Sequence, residues 1–142
     1  MSDLTKSVKT ILIIDDDADD RELFREALLQ VAPRVEYMEA DDGDVALLML
    51  TQPDAVLPDV IFLDLNMPRM NGKQCLIELK KAIGLADVPV IIYTTSKREA
   101  DIEETRSLGA VYFITKPAAF DNICKSIGSA LTEPWKHAES MV

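Results

Sequence analysis

Apolar residues along the chain alternate between two spacings. Ile11–Ile14, Val60–Leu63, Val90–Tyr93 and Val111–Ile114 are unbroken apolar runs of strand length. Bounded by turn signals, such runs predict strands, and Val60–Leu63, which leads straight into Asp64, predicts one buried on both faces. Val35, Tyr37 and Met38 instead alternate with Glu36 and Glu39, the pattern of an edge strand. Between these runs the apolar positions follow helical spacing: Leu23, Phe24, Ala27, Leu28 and Val31, then residues 44–51. Cys75, Leu76, Leu79, Ala82 and Ile83 share a third face, and Phe120, Ile123, Cys124, Ile127 and Leu131 share the last. The helix at 97–108 is only weakly apolar, through Ala100, Ile102, Thr105 and Leu108. Asn71 is placed to cap the third helix, and Gly84 and Gly109 to end the helices before them. Five strands alternating with five helices predict an α/β fold with one parallel sheet covered on both faces. The small doubly wound strand order 2-1-3-4-5 is the expected one.

At 142 residues the chain has the size of one domain with a full core. The expected division is an extension at 1–8, the domain at 9–131 and a tail at 132–142. The tail, from Trp135 onward, is expected to be mobile and to hold the lone histidine, His137, as a solvated side chain. The net charge of −10 argues against nonspecific nucleic-acid binding. No apolar run reaches the ~20 residues of a membrane span, and the first nine residues lack a signal-peptide core. Cys75 and Cys124, both in helical patterns, are expected to be buried reduced thiols of a cytoplasmic protein.

Acids at strand ends change the picture. Asp15 and Asp16 follow the first strand and Asp64 follows the third. If those strands are parallel neighbours, the three carboxylates meet. Two carboxylates about 5 Å apart repel by roughly 3 kcal/mol at an effective dielectric near 20. Such a cluster needs a cation or must keep protons. Oxygen-only ligands favour Mg²⁺ or Mn²⁺ over zinc. Asp17 and Asp19 read more simply as capping acids. The fourth and fifth strands end at Thr94 and Lys116. Together these groups suit transfer of a phosphoryl group to Asp64, a carboxylate that needs no base to act as nucleophile. The metal and Lys116 would balance phosphoryl charge, and Thr94 would donate to a third oxygen. Flavin binding is disfavoured, because Asp15–Asp20 offers carboxylates where a phosphate would have to sit.

In this combination the residues resemble the receiver domain of two-component response regulators, over about residues 9–131. The resemblance rests on Asp15-Asp16, on Asp64 with Asn66-Met67-Pro68 and Gly72, on Thr94, and on Lys116-Pro117. It implies a flavodoxin-like fold and Asp64 as acceptor of phosphate from a sensor histidine kinase or a histidine phosphotransfer protein. It implies Mg²⁺ on the side chains of Asp16 and Asp64 and the carbonyl of Asn66, with Asp15 acting largely through water. It implies a cis Lys116–Pro117 bond, and Thr94 with Phe113 as switch residues. Phe113, lacking a hydroxyl, is expected inward in more than one phosphorylation state, with Tyr112 on the opposite sheet face. Asn66, Thr95 and Ser96 beside the acceptor suggest a long-lived phosphoryl group. The Thr94-Thr95-Ser96 triplet and the proline-bearing loop before the third strand look like the single-domain regulators that partner phytochrome-type kinases.

Such a protein would signal by phosphorylation-controlled protein contact rather than turn over a substrate. The expected contact face is residues 97–131, which is also the candidate surface for a homodimer. Two alternatives differ in class. A pseudo-receiver would only dock, but it should lack some of the acids. A haloacid-dehalogenase-type hydrolase would need an acid two residues after the nucleophile, where this chain has Asn66, and a cap domain for which the sequence offers no segment.

Overall fold

The computed structural model describes residues 8–132. The elements alternate as β1 (Thr10–Ile14), α1 (Ala18–Val31), β2 (Glu36–Ala40), α2 (Gly43–Leu50), β3 (Val60–Leu63), α3 (Gly72–Lys81), β4 (Val90–Thr94), α4 (Glu99–Ser107), β5 (Tyr112–Thr115) and α5 (Phe120–Leu131). All five strands are parallel, in the order β2-β1-β3-β4-β5, so the expected doubly wound sheet is the one observed. The alternating strand, β2, is at an edge.

Burial on both faces explains the unbroken apolar runs of β1, β3 and β4, whereas β5, at the other edge, is mostly half-buried. Ile11, Ile13, Phe62, Ile91 and Tyr93 pack under α1 and α5 with Phe24, Leu28, Ile123 and Ile127. The alternate residues Leu12, Ile14, Ile61, Leu63 and Ile92 pack on the other face with Ala46, Leu50, Cys75, Leu76 and Leu79. Phe24 meets Phe62 and Tyr93 edge-on, at 4.8 and 5.4 Å between ring centroids, and this trio fixes α1 across the middle of the sheet. Val8, placed in the extension by the sequence reading, is already buried in the first of these layers. The rest of that extension, the tail from Trp135 and His137 lie outside the described residues.

Three expectations about packing hold only in part. Helix α3 ends at Lys81: Ala82 is already extended at ψ 136° and Gly84 turns the chain at φ +85°. Ile83 is therefore fully exposed rather than on the core face. In α4 Thr105 is inward as expected and Ile102 and Leu108 are half-buried, but Ala100 is exposed and the other fully inward residue is Asp101. Asp101 can be buried because a lysine from α3 and a serine from the loop before α4 meet it, as described below. Cys124 is only half-buried, whereas Cys75 is fully buried; both are free thiols, and burial pushes that of Cys75 up to about 12. Tyr112 and Phe113 do lie on opposite faces of the sheet.

Candidate functional site

The carboxyl ends of β1 and β3 lie side by side, with Ile14 paired to Leu63. The next residue on each strand is an aspartate. The Asp64 amide donates to the Ile14 carbonyl at 3.0 Å, and the Asp15 amide donates to that of Ala40 at 3.1 Å. Backbone pairing thus carries one residue past each strand and fixes both acids. Asp15, Asp16 and Asp64 each offer an oxygen within 4.8 Å of the others. Asp15 and Asp64 are buried and Asp16 is exposed, so the cluster opens to solvent through Asp16. Asp17 is not part of it. Its carboxylate accepts from the amides of Asp19 and Asp20 and caps α1, as an aspartate at the N-cap should.

Lys116 follows β5 and is bound back to β4 by its amide, which donates to the Thr94 carbonyl at 2.7 Å. Its Nζ lies 2.8 Å from Asp15 Oδ2, 2.8 Å from Asp20 Oδ2 and 3.6 Å from Asp64 Oδ2. Burial works against the ammonium, but its close contacts with Asp15 and Asp20 and the charge of Asp64 outweigh it and hold the lysine above its ordinary range. Asp15 shows the reverse balance. Burial pushes its carboxyl up to about 6, although Lys116 and the Asp17 amide pull it down. Its Oδ2 has the Lys116 ion pair but no hydrogen bond of good geometry. A buried oxygen left in that state, in an oxygen-only set of three acids, fits a hard divalent cation. Asp15, Asp16 and Asp64 are the side chains that could hold one, and the exposed Asn66 follows two residues after Asp64.

Gly72 explains how the next helix comes so close to Asp64. A Cβ at this position would fall 2.1 Å from the Asp64 carbonyl oxygen and 2.6 Å from Leu65 Cα. Only glycine lets α3 start there, with its amide donating to the Leu65 carbonyl at 2.9 Å. The Asn71 side chain then caps the helix through the Gln74 amide.

On the other side of the site Thr94 is fully buried, and its hydroxyl oxygen lies 3.5 Å from the Ser96 amide. The Ser96 hydroxyl donates to Asp101 at 2.5 Å, and Lys73 donates to the other oxygen of Asp101 at 2.7 Å. Thr115 closes the network by donating to the Ser96 carbonyl at 2.8 Å. Phe113 is half-buried and packs with the second core layer; it lines a groove of about 230 Å³ with Ile102, Thr105 and Arg106. The Lys116–Pro117 bond is trans, as are all peptide bonds among the described residues. The expected cis bond is thus corrected: trans is the intrinsically favoured isomer, and the Lys116 amide reaches Thr94 without a cis turn.

Of the residues singled out in the sequence, Asp15, Asp16, Asp64 and Lys116 meet directly. Thr94 ends the neighbouring strand, and Phe113 lies on β5 away from the acids. Sequence reasoning missed Asp20, taken as an ordinary first-turn acid. It also missed the Ser96–Asp101–Lys73 set, and the bond from Arg69 to the buried cap Asp42, which ties the loop after Asp64 to α2. A helical-wheel reading of α1 from its cap at Asp17 would have put Asp20 toward the site; nothing local marks Asp101.

This geometry agrees with comparison to known proteins. Residues 11–128 match the model of the response regulator receiver domain. The chain is 30% identical over 131 residues to the response regulator Rcp1 of Synechocystis, covering 89% of each. It is 30% identical over 121 residues to protein PilH of Pseudomonas aeruginosa, covering 85% of this chain and 96% of that one. Among solved structures it resembles the phosphorylated cyanobacterial phytochrome response regulator RcpA at a TM-score of 0.81, with 31% identity, covering 92% of this chain and 95% of that one. The Mn²⁺-bound form of Rcp1 matches at 0.78, with 30% identity, covering 88% and 95%. With its sheet order, its three converging acids and these relatives, the chain belongs to the response regulator receiver domain family of two-component signalling.

Proposed function

We propose that this receiver domain is a Mg²⁺-dependent phosphoacceptor, modified on Asp64 by a sensor histidine kinase or a histidine phosphotransfer protein. The observation that carries the reading is the convergence of Asp15, Asp16 and Asp64 within 4.8 Å, with the Lys116 ammonium 3.6 Å from Asp64. An Asp64 oxygen attacks the phosphorus of a phosphoimidazole. The new O–P bond makes an acyl phosphate as the N–P bond breaks, and the imidazole leaves with the electron pair and takes a proton from water. Lys116 donates to a phosphoryl oxygen, and the Thr94 hydroxyl binds another once it turns from the Ser96 amide. Bound to the acids, Mg²⁺ supplies charge neutralisation for the phosphoryl oxygens; Mn²⁺ could replace it, as the Mn²⁺-bound form of Rcp1 suggests.

A phytochrome-type kinase is the favoured partner, since RcpA is a phytochrome response regulator and another similar structure comes from red-light signalling in R. palustris. Output would be protein contact through residues 97–131, with a homodimer there as one form of it. No described helix is long and apolar enough to cross a membrane. The Ser96 hydroxyl is tied to Asp101 and Asn66 is not an acid, so neither activates water. The phosphoryl group should therefore outlast a few seconds, which timed acid quenching would measure.

The direct test is incubation with acetyl phosphate and Mg²⁺ followed by intact mass measurement. One phosphoryl group should appear on the wild-type chain and none on Asp64→Asn. Equal labelling of both, or labelling that survives chelation of the metal, would contradict the reading.

A further inference from the structure

The Lys116 ammonium has three protons and three carboxylates around it, but the three are not equivalent. Asp15 and Asp64 are buried strand-end acids of the cluster. Asp20 is on α1, outside the cluster, with a side chain one-third exposed. It nevertheless stands as close to Nζ as Asp15 does, at 2.8 Å, and closer than Asp64. Its place is built in. The Asp20 amide is held by the Asp17 cap at 3.1 Å. Arg21, the next residue, is pinned by donating to the Asp15 carbonyl at 2.7 Å and to Glu39 at 3.3 Å.

Resting on the phosphoacceptor reading above, we propose that Asp20 is a positioning residue, a placeholder that occupies Lys116 until a phosphoryl oxygen on Asp64 takes its position. A lysine side chain only 8% exposed needs its protons bound. Asp64 stands 3.6 Å from Nζ, so a phosphoryl oxygen on it that closes to hydrogen-bond distance crowds the two nearer acceptors, and the one that yields is the one cheaper to release. Asp15 is fully buried, so releasing it would strand a charge in the interior. Asp20 can turn into water at little cost. Until it does, the donor meets an ammonium already engaged and one more negative charge than the transfer needs. Asp20 thus slows uptake by any phosphodonor that does not displace it, and sets the charge seen by the phosphorylated state.

Asp19 supplies the control: it is in the same first turn, exposed, and not paired with Lys116. With acetyl phosphate and Mg²⁺, Asp20→Asn should be phosphorylated about fivefold faster than wild type, roughly what one removed charge near the phosphoryl group gives. Asp19→Asn should change the rate less than about twofold. Asp20→Glu, which keeps the charge within reach of Lys116, should stay near the wild-type rate. In the wild-type protein the side-chain carboxyl NMR signal of Asp20 should move toward that of Asp19 when beryllofluoride and Mg²⁺ are added. An Asp20→Asn rate no higher than that of Asp19→Asn, or an Asp20 signal unmoved by beryllofluoride, overturns the placeholder while leaving Asp64 as acceptor. A wild-type chain that takes up no phosphoryl group overturns both.

Discussion

Two polar regions at the same rim of the sheet are satisfied to different degrees. Around Ser96, every group has its partner: the hydroxyl reaches Asp101, Asp101 reaches Lys73, and Thr115 reaches the Ser96 carbonyl. Hydrogen bonds from Lys73 and then Ser96 hold the Asp101 carboxyl below its usual range. Around Asp64, three acids share one lysine, Asp15 Oδ2 is left without a good hydrogen bond, and burial raises the Asp15 carboxyl. Both regions are built of acids and a lysine, so composition does not separate them. What separates them is completeness. The first region orders a loop and needs nothing more, whereas the second retains an electrostatic cost that a bound cation or a phosphoryl group would change.

Gly72→Ala should give the largest effect on the incomplete region. Its Cβ would meet backbone atoms of Asp64 and Leu65, which cannot yield as a side chain tip does. A loss of about 3 kcal/mol or more in denaturant unfolding is expected, with loss of phosphorylation. If Gly72→Ala folded at wild-type stability, the close approach of α3 to the acceptor would be wrong.

Asp15→Asn should act in the opposite direction in metal-free protein. The folded carboxyl titrates near 6 and the unfolded one near 3.8. Between those values the folded state binds more protons, so the Asp15 contribution to stability falls as pH rises and is fully lost above about pH 6. Relative to wild type, Asp15→Asn should gain about 3 kcal/mol at pH 7 and almost nothing at pH 4. A pH-independent difference between the two proteins would contradict the burial argument.

In the complete region the expected change is smaller. Asp101→Ala removes the acceptor of Ser96 and one acceptor of Lys73, which keeps Glu104 at 2.7 Å. A loss of about 1 kcal/mol is expected, with faster amide exchange in the loop before α4. Ile83→Lys is the neutral limit: the side chain is fully exposed, and the unfolding midpoint should not move. A clear loss would put Ile83 back on a packed face.

These regions also mark what the sequence could and could not convey. The sheet was readable because strands buried on both faces leave unbroken apolar runs, and alternation with helices restricts the topology. The acid cluster was readable because Asp15, Asp16 and Asp64 each follow such a run directly. Asp101 was not, because its burial depends on Lys73, 28 residues earlier, and helical spacing records only apolar partners. Asp20 was not, because its pairing with Lys116 spans 96 residues and a first-turn acid already has a local explanation. The trans Lys116–Pro117 bond and the early end of α3 turn on backbone geometry that residue spacing does not encode.

The central claim is that a divalent ion at Asp15, Asp16 and Asp64 would offset the repulsion of carboxylates that the backbone already brings together, and so would stabilise the fold. Mg²⁺ titrated into metal-free protein at pH 7.5, with unfolding followed at each concentration, tests it directly. Stability should rise with the logarithm of Mg²⁺ concentration, by about 2.7 kcal/mol at a hundredfold excess over the dissociation constant, and Asp16→Asn should lose most of that rise. A wild-type stability indifferent to Mg²⁺, or an Asp16→Asn variant stabilised as fully as wild type, would contradict the account.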